Sequence, residues 1–262
     1  MIVKCLMEDT TEHSDIKAEH GLSLYIETEN HKILFDMGQT DAFADNAQKL
    51  GVDLSAVDIA ILSHGHYDHS GGLEKFLKIN DKAYIYMSKY VFEPHYNGTE
   101  KYIGIDQSLR SERFVYTGEV YDIDDGLTLL SCNKMPKLHP IESFGLNTMR
   151  DGRFVSEDFR HEQYLLIKEG TKRVLISGCS HKGILNIAEW FSPDILVGGF
   201  HFVKLDPQTA DAERLQKAAD ELSEHKTVYY TCHCTGVAQY EFMKKTLKEN
   251  LRYLSAGQTL EF

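Results

Sequence analysis

The period of the apolar positions changes several times along the chain, and each change predicts an element. Short apolar runs at residues 2–6, 22–26 and 32–36 read as strands, the last two joined by a polar turn around Asn30. At 41–50, Ala42, Phe43, Ala44, Ala47 and Leu50 recur at helical spacing, and Gly51 stands where a helix would stop. A strand at 58–62 runs directly into Ser63-His64-Gly65-His66-Tyr67-Asp68-His69. A turn at Gly71-Gly72, a short helix at 73–79 and a strand at 83–87 follow. From Tyr90 to Arg160 the pattern weakens. Only 114–116 and 127–130 look like strands, and a loop covering the functional site is expected between Lys134 and Arg160.

The second half repeats the alternation of strand and helix. Strands are expected at 164–168, 173–177, 194–198 and 227–230, each ending at a histidine-bearing turn, with a last strand near 252–254. Helices are expected at 183–191, 209–222 and 239–249. No repeat of 20 to 50 residues is present. Two sheets, each covered by helices on one face, would pack as an αββα sandwich, an α/β fold. The 262 residues suit one domain spanning 1–262.

Composition narrows the partners. With 28 Lys and Arg against 40 Asp and Glu, the formal charge is -12, which disfavours nucleic acid and ribonuclease activity. The start, MIVKCLMEDTTEH, lacks the apolar stretch of a signal peptide, and no run of about 18 apolar residues offers a membrane span. A cytoplasmic location without membrane contact is expected. Five cysteines (Cys5, Cys132, Cys179, Cys232 and Cys234) form a sparse, odd set that fits a reducing compartment rather than a disulfide framework.

The chemistry concentrates at the end of the strand at 58–62. His64, His66, Asp68 and His69 place four ligand-type side chains within six positions, enough to serve two adjacent metals. Imidazole and carboxylate suit zinc, iron or manganese, so one or two divalent ions are expected, zinc foremost. Gly65, Gly71 and Gly72 permit backbone geometry that a side chain would obstruct.

This HxHxDH pattern, preceded by Asp36 in Leu34-Phe35-Asp36-Met37-Gly38, resembles the signature of the metallo-β-lactamase superfamily. The resemblance covers most of the chain and implies that family's αββα sandwich. It implies that His64 and His66 bind one metal, Asp68 and His69 a second, and that Asp36 supports the motif turn by hydrogen bonding. It also implies a late ligand at His233 in Thr231-Cys232-His233-Cys234-Thr235-Gly236. Where the family carries a bridging aspartate, this chain has Gly178-Cys179-Ser180-His181. A Cys179 thiolate or the His181 imidazole could stand in for it. The family's intermediate histidine has no clean match. His161, followed by Glu162, lies where the element order would put it, and His95 and His139 lie earlier in loops, all three with a surface position as the ordinary expectation.

Glu19-His20-Gly21-Leu22-Ser23, the 178–181 turn, Gly198-Gly199-Phe200-His201 and residues 231–236 resemble one branch more closely. That branch is named for 7,8-dihydropterin-6-methyl-4-(β-D-ribofuranosyl)aminobenzene 5′-phosphate synthase. It makes His20 and His201 candidates for binding polar or anionic substrate groups. The leading expectation is a hydrolase of a small phosphoester or other ester, using a metal-activated water with Asp68 in a catalytic role. The alternatives are the synthase, which would join a pterin methyl diphosphate to an arylamine, and a non-catalytic metal-dependent binder of a small molecule. Neither GxxxxGK[ST] nor GxGxxG is present.

Overall fold

The apolar runs of the N-terminal region become a seven-stranded sheet. In the computed structural model, which describes all 262 residues, its order is Thr259–Glu261, Ile2–Met7, Ser23–Glu27, Lys32–Phe35, Ile59–Ile61, Tyr84–Ser88, Phe114–Thr117. The pairs are antiparallel up to Lys32–Phe35 and parallel beyond it. The change of sense has a sequence cause. Ser23–Glu27 and Lys32–Phe35 are joined by a tight turn, whereas the crossovers to Ile59–Ile61 and Tyr84–Ser88 carry the helices Ala42–Lys49 and Leu73–Ile79, and the long crossover to Phe114–Thr117 carries the short strands His95–Asn97 and Lys101–Tyr102. Those helices set Phe43, Ala47, Leu73 and Phe76 in one apolar cluster with Leu34, Ala60, Leu62, Ile85 and Met87. This unit comprises Met1–Gly118, Gly145–Gln163 and Ser255–Phe262.

The other unit, Glu119–Phe144 and Tyr164–Leu254, has its own seven-stranded sheet. The order is Leu251–Tyr253, Val228–Thr231, Ile195–Val197, Lys172–Ile176, Tyr164–Glu169, Leu127–Leu130, Val120–Asp122. The first four strands run parallel, and the rest pair antiparallel. Helices Ile184–Phe191, Asp211–Ser223 and Val237–Leu247 bury Ile187, Leu215, Leu222 and Met243 with Leu175, Leu196 and Tyr229. At about 25 cal/mol per Å² of apolar surface, such fully buried side chains each contribute roughly 1.5–3 kcal/mol. No helix is long and apolar enough to cross a membrane.

Several expectations are corrected. The span from Lys134 to Arg160 is not loop throughout: Leu146–Arg150 and Arg153–Ser156 form an antiparallel hairpin in a four-stranded sheet with His95–Asn97 and Lys101–Tyr102. Its turn, Asp151-Gly152, has φ of 51° and 73°, the left-handed pair that an Asp-Gly hairpin turn uses. The strand residues Arg153–Ser156 are all exposed, so no apolar alternation marked them. The histidine motif is not a simple turn, because Tyr67–Ser70 is a short helix carrying Asp68 and His69. Tyr164–Glu169 leads into a hairpin with Lys172–Ile176 rather than a histidine-bearing turn.

Candidate metal centre

In the first unit, Lys32–Phe35 and Ile59–Ile61 lie side by side in parallel, so their C-terminal ends deliver Asp36 and Ser63 to the same edge. Asp36 adopts a left-handed backbone, φ 59°, and its carboxylate is fully buried. It accepts hydrogen bonds from the Ser63 amide (2.7 Å), the Ser63 hydroxyl (2.6 Å) and His69 Nδ1 (2.6 Å). The Ser63 hydroxyl, having donated its proton to Asp36, accepts from His64 Nδ1 at 2.8 Å. One carboxylate thereby fixes two tautomers. Both His64 and His69 carry their proton on Nδ1, and Nε2 is the lone-pair nitrogen of each.

Asp68 is nearly buried, with Oδ2 3.3 Å from His20 Nε2 and 3.8 Å from His69 Nε2. His20 in turn places Nδ1 3.0 Å from Asp9 Oδ2. His20 therefore spans two carboxylates, which holds Asp68 in place.

His95 and His161 are both fully buried, not the surface histidines expected from the sequence. One ring nitrogen each of His66, His95 and His161 lies within 4.8 Å of the others, and the rings of His95 and His161 stack with centroids 3.9 Å apart. The cause is the small sheet, which sets His95 opposite Thr148 and brings buried Glu157 to it. Glu157 Oε2 lies 2.8 Å from His95 Nδ1, which puts the proton there and leaves Nε2, buried and without a hydrogen bond, as the lone-pair atom. His161 has the opposite tautomer: its Nδ1 accepts from the Gly65 amide at 2.9 Å, so the neutral ring carries its proton on Nε2. Of the two, His95 offers a donor atom and His161 holds the motif backbone. Gly65 must lack a side chain, since a Cβ would stand 2.2 Å from the Val91 carbonyl oxygen.

In the second unit, the parallel strands Lys172–Ile176, Ile195–Val197 and Val228–Thr231 end in the turns bearing Cys179 and His181, His201, and His233 and Cys234 respectively. The turns are tied together. Gly199 donates its amide to Gly178 (2.7 Å), and the Phe200 amide donates to the Thr235 hydroxyl (2.8 Å). Ser180, His201 and His233 hold left-handed backbones with φ of 58°, 56° and 48°, at roughly 1–2 kcal/mol each. The rings of His181 and His201 lie with centroids 4.2 Å apart. A sulfur each from Cys179 and Cys234 and a nitrogen of His201 fall within 4.8 Å of one another. Burial pushes the Cys234 thiol up. Hydrogen bonds with Cys179 and His201 and the nearby His233 outweigh it, so the thiol sits well below its ordinary range. His139, its amide bonded to Asn186 and its ring 3.5 Å from Glu221, is only partly exposed and lines the same cavity as His181 and His201. His181 and His201 line a cavity of about 260 Å³ with Phe144, Phe202 and Arg214.

A family model described as the metallo-β-lactamase superfamily matches residues 16–222. The chain belongs to the metallo-β-lactamase superfamily. It is 30% identical over 243 residues to an uncharacterized protein of Methanocaldococcus jannaschii, covering 88% of this chain and 90% of the relative. It is 27% identical to the 7,8-dihydropterin-6-methyl-4-(β-D-ribofuranosyl)-aminobenzene-5′-phosphate synthase of the same organism, covering 95% and 92%. Among solved structures, Tm1679, a metal-dependent hydrolase of the β-lactamase superfamily, matches with a TM-score of 0.79 at 29% identity over 100% of this chain and 99% of that one. Zinc-bound PqqB from Methylobacterium extorquens shares the fold, with a TM-score of 0.59 at 11% identity over the full length of both.

The metallo-β-lactamase-type α/β fold expected from the sequence is the fold found, and divalent metal binding is the family's property. The residues present fit such an ion. In the first unit the donor set is imidazole and carboxylate, two tautomers are locked by Asp36, and His95 Nε2 is an orphaned buried nitrogen. Glu157 was missed by sequence reasoning, and His95 was expected in a surface loop, because nothing in Pro94-His95-Tyr96-Asn97 signals a strand.

Proposed function

We propose that this chain is a metal-dependent hydrolase of a small phosphoester or other ester-type substrate, with zinc as the metal foremost. The observation that carries the reading is the Asp36 network, a buried carboxylate that locks His64 and His69 in the ligating tautomer. The likeness to a metal-dependent hydrolase over the whole chain supports it. His64, His66, Asp68 and His69 would hold metal in the first unit, with His95 as a further donor. His181 or Cys179, and His233, are the donors proposed from the second. When bound in such a set, a divalent ion would supply an acidified water and polarise the ester oxygen. Asp68 would accept a hydrogen bond from the attacking water, and His20, 3.3 Å from its carboxylate, keeps that carboxylate oriented. His201, beside the cavity that Arg214 also lines, contacts polar or anionic groups of the substrate.

A second reading is favoured by the synthase relative. In it an arylamine nitrogen attacks the pterin methyl carbon, the carbon–oxygen bond breaks, and diphosphate leaves as the amine loses a proton. The test is to measure metal content after purification without added metal, then to screen phosphodiesters, thioesters and lactams. Hydrolysis abolished by chelation and by His66→Ala is the expected result. Full metal loading with turnover only when an arylamine is supplied would overturn hydrolysis in favour of the synthase. Full loading with tight ligand retention and no turnover at all would point to a binder.

A further inference from the structure

We propose that Cys179, His201 and Cys234 form a metal site of their own, a two-thiolate, one-imidazole set for a soft or borderline divalent cation such as zinc, which leaves His181 rather than Cys179 as the donor of the 178–181 turn to the hydrolytic metal and only the second ring nitrogen of His201 for substrate. All three belong to the second unit and come from three different strand ends, so no local turn explains their meeting. Their donor atoms lie within 4.8 Å of one another. Tetrahedral bonds of about 2.3 Å to sulfur and about 2.0 Å to nitrogen set ligand atoms roughly 3.5–3.8 Å apart, so modest side-chain rotation closes the set. Both cysteines are buried, at 2% and 3% exposure.

Two buried thiols often mean no more than small apolar side chains. Cys132 shows what that looks like here: it sits in an apolar cluster with Leu196 and Phe200. Cys179 and Cys234 instead face an imidazole, and His201 in turn packs on the ring of His181. The backbone is also shaped around the sulfur. A Cβ at Gly199 would stand 2.4 Å from Cys234 Sγ, so glycine there keeps the thiol's surroundings open to it. The hydrogen bonds donated by the Gly199 amide to the Gly178 carbonyl and by the Phe200 amide to the Thr235 hydroxyl fix the three turns against one another, which preorganises the donors. Three protein ligands leave a fourth position for water or substrate.

Cobalt substitution of the full-length protein tests this independently of the hydrolase reading. Thiolate bound to Co²⁺ gives an intense near-ultraviolet charge-transfer band. The band is expected in the wild type, in His66→Ala and in Cys132→Ser, and is expected to be lost in Cys234→Ser and Cys179→Ser. Absence of the band from the cobalt-loaded wild type, or its persistence in Cys234→Ser, would overturn the site. Should either variant misfold, alkylation of the wild type decides the question. Peptide mapping should show Cys179 and Cys234 shielded in the metal-loaded protein and modified after chelation, with Cys132 unchanged. Equal labelling with and without chelator, or a Cys179–Cys234 disulfide in place of metal, would overturn it.

Discussion

In the first unit, four ligand-type side chains come from one continuous segment, His64 to His69, and a single buried carboxylate 27 residues upstream of Ser63 ties two of them together. In the second unit, the donors come from the turns at three separate strand ends, and those turns are tied to one another by neutral groups. Hydroxyls and amides do that work: Ser177 to Ser180, Phe200 to Thr235, Gly199 to Gly178. Both units use the C-terminal edge of parallel strands, where open α/β sheets place their ligands. The difference is in how concentrated the electrostatics are. A site organised by one charge should fail sharply when that charge is changed, and a site organised by several neutral hydrogen bonds should fail gradually.

The largest expected effect comes from removing a donor of the concentrated set. His66→Ala and Asp68→Ala should each take turnover to background and reduce the bound metal measured by elemental analysis, while circular dichroism stays close to wild type. Unchanged metal content in both variants would remove the first unit from the metal centre and with it the basis of the comparison.

Next is the organising charge itself. Asp36→Asn keeps the shape but cannot accept from three donors as a carboxylate does, so activity or metal affinity should fall about 10–100-fold. A titration with a competing chelator measures this directly. An Asp36→Asn protein with wild-type affinity would mean that His64 and His69 keep their tautomers without it.

The same contrast explains what could be read from the sequence. The contiguous motif was legible because HxHxDH follows an apolar strand, and Ile59–Ile61 is buried along its whole length. His95 was not legible, since the Glu157 that orients it lies 62 residues away and is brought there by a sheet whose strands show little apolar alternation. Cys179 and Cys234, 55 residues apart, meet only because their strands flank Ile195–Val197 in the sheet. The strands expected at 114–116 and 127–130 were recovered, the first one residue longer, because apolar or β-branched side chains fill them. The hairpin at 146–156 carried a readable Asp-Gly turn, but exposed strands on its far side masked it.

A smaller effect is expected where the second unit relies on a hydroxyl. Thr235→Val leaves the buried Phe200 amide without its acceptor, at about 1–3 kcal/mol. That should lower the melting temperature by several degrees, at roughly 2–4 °C per kcal/mol for a chain of this size class. The affinity of the His64–His69 segment for metal should change far less than in Asp36→Asn. Equal losses in the two variants would show that neutral hydrogen bonds organise ligands as firmly as the carboxylate does.

A smaller effect still is expected at the Arg150–Asp158 pair of the first unit. Arg150 grips Asp158 with two hydrogen bonds, 2.8 and 2.7 Å, and also reaches Glu93 at 3.3 Å. Partial burial pushes the Asp158 carboxyl up, but the hydrogen bonds and charge of Arg150 outweigh it, so its pKa is lowered. A folded-state pKa below the unfolded value, about 3.9 for aspartate, means the stabilisation is present above pH 4. It is lost as pH falls from there through the lowered folded pKa. Asp158 is half exposed, so solvent screening limits the contribution to under ~1 kcal/mol. Thermal melts of wild type and Asp158→Asn should therefore differ at pH 6 and converge toward pH 2. In the second unit, Arg214 meets Glu142 through one contact at 2.6 Å with both side chains about half exposed, and Glu142→Gln should shift the melts less than Asp158→Asn does. A constant gap between wild type and Asp158→Asn across that range would mean the pair acts through packing rather than charge, because only a charge contribution follows the protonation of the carboxyl.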